Sequence, residues 1–260
     1  MDIKFDYNYH THTIRCNHAI DKDEQYILHA IQNGIKSLGF SDHIPFMSAG
    51  GYESSYRIPT KNVKDYYESL NALKEKYAEQ IEIHIGYEME YYEKYFSQML
   101  KFAKDNGAEY LILGQHFYES EYDGGKYVLS YNINKDDLIS YVNSVIKGME
   151  TGVFTYVAHP DIVLFYNDND FYIKEMTRLA KKSKELNVPL EINLLGIRAN
   201  RTYPNPLFWE IAGKIQCPVT IGCDAHTAKD VYEIDGITKA FDMVKKYNLN
   251  YIGKPNLIEI

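Results

Sequence analysis

The sequence predicts an α/β barrel of parallel strands, and three observations lead there. Short apolar runs alternate with longer stretches of helical period, the pattern of repeated βα units. No linker divides the 260 residues, a length normal for one barrel and sufficient to bury a large core. Histidines and carboxylates recur at the C-terminal ends of the apolar runs, which a parallel barrel gathers onto one face.

Seven strands are expected, over residues 6–12, 35–41, 81–88, 110–115, 153–158, 189–193 and 219–223, with a short eighth over 251–253. Helices are expected over 23–33, 61–80, 92–105, 135–150, 169–186, 206–215 and 231–247. The segment 61–80 has the clearest period, with Thr60 as its N-cap and Val63, Tyr66, Tyr67, Leu70, Leu73 and Tyr77 along it. Gly34, Gly107, Gly152 and Asn187 stand where four of the helices should end, because a left-handed C-terminal cap favours Gly or Asn. Two long segments, 44–59 and 117–134, follow strands, are rich in Gly, Ser and Tyr, and read as lids or binding loops.

Composition narrows the function. With 45% hydrophobic and 25% charged residues and no biased tract, the chain reads as globular throughout, one domain over residues 1–260. A formal net charge of −8 without any Lys/Arg run argues against nucleic acid. No apolar stretch reaches the length of a signal peptide or a membrane span, so a cytoplasmic location and no membrane partner are expected. Cys16, Cys217 and Cys223 lack C-x-x-C spacing and read as packed residues, Cys16 being the one that falls among histidines. The 25 tyrosines are spread along the chain and identify no site.

The polar residues at the strand ends are His10 and His12, then His18, His43, Glu88, His116, His159, Asp224 and His226. They include seven of the nine histidines; only His29, within a helix, and His84, inside a strand, fall elsewhere. Any one piece, such as His10-Thr11-His12 with both imidazoles on one side of a strand, is a weak signal. Together they are not, because burying so many polar groups is costly unless something compensates them. A metal cluster compensates them. Imidazole with a few carboxylates suits zinc, manganese or iron better than calcium or magnesium. Nine ligands exceed one tetrahedral ion, so two to three divalent transition-metal ions are expected.

At this level the sequence resembles the polymerase and histidinol phosphatase (PHP) superfamily, and within it the histidinol-phosphate phosphatases. The residues that carry the resemblance are His10-Thr11-His12, His18, Ser41-Asp42-His43, Gly86-Tyr87-Glu88, Gly114-Gln115-His116, Ala158-His159-Pro160-Asp161, Glu191-Ile192-Asn193 and Gly222-Cys223-Asp224-Ala225-His226. The resemblance implies a distorted (β/α)7 TIM-like barrel and a trinuclear site. In it His10, His12, Glu88 and Asp224 would hold one ion, Glu88, His116 and His159 a second, and His18, His43 and His226 the third. Glu88 would bridge, with Glu90, two residues on, as its rival. Where such phosphatases often carry an arginine after the H-x-D segment, this chain has Ile162-Val163-Leu164-Phe165-Tyr166. Arg198 is therefore the first candidate for gripping phosphate, with Arg201, Arg57 and Arg15 behind it.

The implied activity is hydrolysis of a small phosphomonoester, L-histidinol phosphate in histidine biosynthesis, by a metal-activated hydroxide. Arg198 would add bidentate bonds to a nonbridging oxygen. The proton for the leaving alkoxide could come from Asp224, from His226 or from water. A nuclease of the same superfamily should carry a basic track, which is missing here; a phosphotyrosine-protein phosphatase or a non-catalytic metal-binding module remains as an alternative. The sequence does not address oligomeric state.

Overall fold

The computed structural model describes residues 4–45, 52–130, 133–166 and 168–260. Parts of the expected 44–59 and 117–134 loops lie outside them. One sheet of eight strands runs through the molecule, all parallel and in sequence order: β1 (Tyr7–Asn8), β2 (Ser37–His43), β3 (Glu82–Met89), β4 (Tyr110–Leu113), β5 (Phe154–Val157), β6 (Leu190–Asn193), β7 (Pro218–Gly222) and β8 (Asn250–Tyr251). Helices α1 (Asp23–Gln32), α2 (Val63–Lys76), α3 (Phe96–Asp105), α4 (Lys135–Glu150), α5 (Asn169–Leu186), α6 (Leu194–Arg198), α7 (Pro206–Ile215) and α8 (Ile234–Lys246) connect them. The fold is thus α/β, and the short eighth strand is present beside β7. Among the described residues no helix is long and apolar enough to cross a membrane.

Local chemistry explains where elements start and stop. Asn134, Asp168 and Asn205 each accept a backbone N–H at the head of α4, α5 and α7, and Pro206 opens α7 where its missing N–H costs nothing. Gly34, Gly107, Gly152 and Asn187 all have positive φ after their helices, as expected. Thr60 does not cap α2. It starts a 3-10 turn, Thr60–Asn62, and α2 follows it. A further difference is α6, five residues where a loop was expected, formed because the Asn193 side chain accepts the Gly196 N–H at 3.0 Å.

The first strand is shorter than the 6–12 run, and Asn8 is the reason. Its side chain accepts the N–H groups of His10 and Cys223 and donates to Thr11 Oγ1, taking the place of ladder bonds. Beyond it the chain leans between two neighbours. Ser41 N–H donates to the Thr11 carbonyl on the β2 side, while His12 N–H donates to the Ala225 carbonyl and Ala225 N–H to that of His10 on the β7 side. Residues 10–12 and 225 are thereby drawn to the same end of the sheet.

Tyrosine fills much of the interior. The buried hydroxyls of Tyr7, Tyr9 and Tyr110 meet Thr220 Oγ1, Ser37 Oγ and the Tyr9 carbonyl at 2.8–2.9 Å, which offsets the cost of burying them. Cys217 and Cys223 flank β7, buried, with thiols toward the Ala212 and Val231 carbonyls.

Two glycines make room for carboxylates crossing the sheet. A methyl group at Gly114 would collide with Glu88 Oε1, and one at Gly222 with Glu191 Oε1. Gly114→Ala or Gly222→Ala therefore overpacks a rigid core and should destabilise the fold by about 1–3 kcal/mol. Thermal denaturation checks this; an unchanged melting temperature in both variants would show that the carboxylates can move aside.

Candidate metal centre and active site

All nine residues picked out at the strand ends come together. His43 is the last residue of β2 and Glu88 the penultimate one of β3; His116, His159, Asp224 and His226 follow β4, β5 and β7. His29 and His84 stand apart, His84 beside Glu109 at 3.2 Å. His159 and Asp224 have left-handed backbones, φ 30° and 47°, a strain that persists in proteins where the surroundings over-determine it. Here the Glu191 carboxylate accepts the His159 N–H at 3.0 Å.

Glu88 is the centre of the arrangement. Its Oε2 lies 3.5 and 3.6 Å from the Nε2 atoms of His10 and His12, both of which also approach Asp224 Oδ1, at 3.6 and 3.2 Å. Its other oxygen, Oε1, lies 2.9 Å from His159 Nε2 and 3.4 Å from His116 Nε2. One carboxylate thus faces two pairs of imidazoles, and its Oε2 also lies 3.1 Å from His43 Nδ1. A third group, His18, His43 and His226, has one ligand atom from each within 4.8 Å of the others. Cys16 is buried beside it, Sγ 3.8 Å from His18 Nε2.

The site fits a set of cations. His10 Nε2, His12 Nε2, His43 Nδ1, His159 Nδ1 and Glu88 Oε2 are buried without a hydrogen-bond partner. Left so, such atoms carry a full desolvation penalty. The electrostatics agree. Burial opposes charge on His10, yet Glu191, Asp224 and Glu88 outweigh it and push its pKa up to about 10. Burial opposes ionisation of Glu88 and Asp224 too, yet the imidazoles around each hold them well below the usual carboxylate range. Conversely, burial and then the neighbouring His12 bring His226 down to about 3. These carboxylates demand positive charge, and the imidazoles cannot all carry it.

Outer contacts set the direction of the rings. Nδ1 of His10 meets Glu191 at 2.9 Å, that of His116 meets Glu90 at 3.0 Å, and that of His12 meets Asp42 at 3.4 Å. Nδ1 of His18 and His226 point at the carbonyls of Cys16 and Asp224. In these five rings Nε2 is left facing inward, the orientation that carboxylate or carbonyl partners give to metal-binding histidines. Asn193 ties two carboxylates together, donating to Glu191 and Asp224 at 2.9 and 3.0 Å. Asp42, Glu191 and Asn193 belong to segments that carry the family resemblance, and their spacing alone assigns them no role. Two signals point to them: their i, i+2 or adjacent spacing to strand-end residues, and their place in those segments.

The cluster opens into a cavity of about 690 Å³. Its outer walls are Ser55, Tyr56, Phe117, Tyr127, Ile162, Leu195, Tyr203 and Arg201. Arg201 is the only lysine or arginine among the described lining residues. The other three candidate arginines are placed differently. Arg198 turns away: its Nη2 donates to the Cys223 and Asp224 carbonyls and its Nε pairs with Asp230 at 3.1 Å, so it buttresses the backbone of Asp224. Arg15 is taken up by Asp23 and Asp65, and Arg57 by Glu90 and Glu121. Arg201 is steadied by Tyr203 Oη at 2.9 Å. Its loop is anchored where Asp161 accepts the N–H of Asn205 and the indole N–H of Trp209.

The PHP domain matches residues 8–194 of this sequence. The chain belongs to the PHP family. Among its relatives in that family, the histidinol-phosphatase of Bacillus subtilis (strain 168) is 26% identical over 85% of this chain and 94% of its own length. That of Lactococcus lactis subsp. lactis (strain IL1403) is 25% identical over 94% and 91%. The crystal structure of histidinol phosphate phosphatase from Lactococcus lactis, complexed with zinc, L-histidinol and phosphate, superimposes with a TM-score of 0.71 over 95% of both chains at 20% identity, a likeness of fold.

Glu90 and Glu88 are now distinguishable by their surroundings, Glu90 being committed to Arg57 and His116. Glu88→Gln should weaken zinc binding more than Glu90→Gln, for which the loss expected of an outer contact is about 10- to 100-fold. Competition titration against a chelator measures both; the reverse ranking would make Glu90 the central carboxylate.

Proposed function

We propose that this chain is a metal-dependent phosphomonoester hydrolase acting on L-histidinol phosphate, in the cytoplasmic biosynthesis of histidine. The observation that carries the reading is Glu88, with one oxygen toward His10 and His12 and the other toward His116 and His159, at the floor of a cavity holding one arginine. The histidinol-phosphatase relatives, which span most of this chain, support the choice of substrate. We read the whole chain, residues 1–260, as one domain of seven βα units, with β8 appended.

Two to three ions of zinc, manganese or iron would be held here. His10, His12, Glu88 and Asp224 would take the first, Glu88, His116 and His159 the second, and His18, His43 and His226 the third. Such ions supply Lewis acidity toward phosphoryl oxygens and lower the pKa of water. The residues of the chain do the rest. Arg201 binds the phosphoryl group through charge-assisted bonds, held in its bound direction by Tyr203. Tyr56, Phe117, Tyr127 and Tyr203 wall the cavity and exclude water around the leaving alcohol, to whose cationic or planar parts aromatic faces are attractive. Asp224 and His226 line the cavity, but Asp224 is held ionised and His226 neutral, so the proton for the departing alkoxide comes from water. Arg198 contributes by fixing the Asp224 backbone, without touching substrate.

A panel of histidinol phosphate, other small phosphomonoesters, a phosphotyrosine peptide and single-stranded DNA, offered to metal-loaded protein, tests the class; preference for either of the last two would overturn the substrate. Arg201→Ala should lower kcat/KM for histidinol phosphate by about one to two orders of magnitude, the worth of a charge-assisted bond of roughly 1.5–3 kcal/mol. Metal content should be unchanged, and Arg201→Lys should recover only part of the loss. Full activity in Arg201→Ala would mean that the arginine does not grip phosphate.

A further inference from the structure

Arg57 is 1% exposed and takes no part in lining the cavity. A guanidinium so placed is costly unless its partners are fixed, and removing a partner leaves charge buried. Its partners come from three separate segments. Nη2 lies 2.7 Å from Glu90 Oε1, one residue past β3. Nε lies 3.2 Å from Glu121 Oε1, in the loop after β4. Nη1 donates to the Ile44 carbonyl at 3.2 Å, one residue past β2.

Two lines of contact lead from this group to the site. Glu90 Oε1 meets His116 Nδ1 at 3.0 Å, and His116 Nε2 faces Glu88 at 3.4 Å. The Tyr56 hydroxyl lies 2.7 Å from Arg57 Nη2 and donates to Glu121 at 2.5 Å, while its ring stands edge-on to His43 and stacks on Phe117. Arg57 therefore ties the loop after β2 to the loop after β4, and both to the ring of a proposed metal ligand.

We propose that Arg57 is a positioning residue for the phosphatase reaction: through Glu90 it fixes the His116 ring with Nε2 toward Glu88, and through Glu121 and Tyr56 it fixes the aromatic wall that receives the leaving alcohol. This rests on the function proposed above. The two arms have different signatures. Losing the Glu90 arm loosens a ligand, which weakens metal binding or lowers kcat; losing the Glu121 arm loosens the wall, which raises KM.

The test uses the full chain loaded with zinc, near-UV circular dichroism to establish folding, chelator competition for zinc affinity, and kinetics on histidinol phosphate. Arg57→Met should bind its weakest zinc ion about 10- to 100-fold less tightly and lose kcat/KM by a similar factor, as outer contacts to ligands do. Arg57→Lys, keeping charge but not the fork, should restore much of the zinc affinity and less of KM. Glu121→Gln, which leaves the pair with Glu90 intact, should raise KM several-fold with zinc affinity and kcat unchanged. A folded Arg57→Met with wild-type zinc affinity and kinetics overturns the proposal. If Arg57→Met does not fold, Glu121→Gln decides, and an unchanged KM overturns it. Should the wild-type protein bind zinc yet leave histidinol phosphate intact, the proposed substrate fails, while the zinc affinities still judge Arg57.

Discussion

Everything at this end of the sheet answers to one constraint: the carboxylates of Glu88 and Asp224 are buried among imidazoles, and among the described residues no lysine or arginine forms an ion pair with either. Glu88 is 1% exposed and Asp224 4%. Protons can satisfy them only by charging imidazoles that stand against one another, His12 stacked on His226 with centroids 4.2 Å apart. The buried guanidinium of Arg57 is committed to Glu90 and Glu121. The arrangement is costly as a purely protein structure and becomes favourable when cations enter.

The surroundings make sense as consequences. Asp42, Glu90 and Glu191 stand behind His12, His116 and His10 and turn each ring so that the inward nitrogen is free. Glycine at 114 and 222 lets Glu88 and Glu191 pass where a methyl group would block them. Asn8 diverts the first strand so that His10 and His12 lie against the seventh. His159 and Asp224 have left-handed backbones, held by the Glu191 carboxylate at the His159 N–H and by Asn193 at the Asp224 carboxylate. Stability is given up locally, at the positions where function needs fixed directions.

Much of this was legible in the sequence, for physical reasons. A period of two in strands and the convergence of parallel strand ends turn nine scattered residues into one site without any coordinates. What stayed hidden depends on turns without a periodic signature. Leu194-Leu195-Gly196-Ile197 reads as an apolar loop, yet the Asn193 cap folds it into a helix that swings Arg198 back onto the carbonyl of Asp224. Arg201, three residues on, is left to face the cavity. Tyrosines could not be sorted from their spacing either: Tyr7 and Tyr110 are interior filler, whereas Tyr56, Tyr127 and Tyr203 form a wall, and only the packing separates them.

The most direct test of this account is elemental analysis of the protein after reconstitution with zinc, manganese and iron, followed by removal of excess ion. A cluster whose buried carboxylates require cations should retain two to three ions per chain, and a chelator that strips them should lower the melting temperature as the ion-binding free energy is lost. Fewer than one ion per chain, with a melting temperature indifferent to metal and chelator alike, would contradict it: the imidazoles and carboxylates would then be satisfied by protons alone.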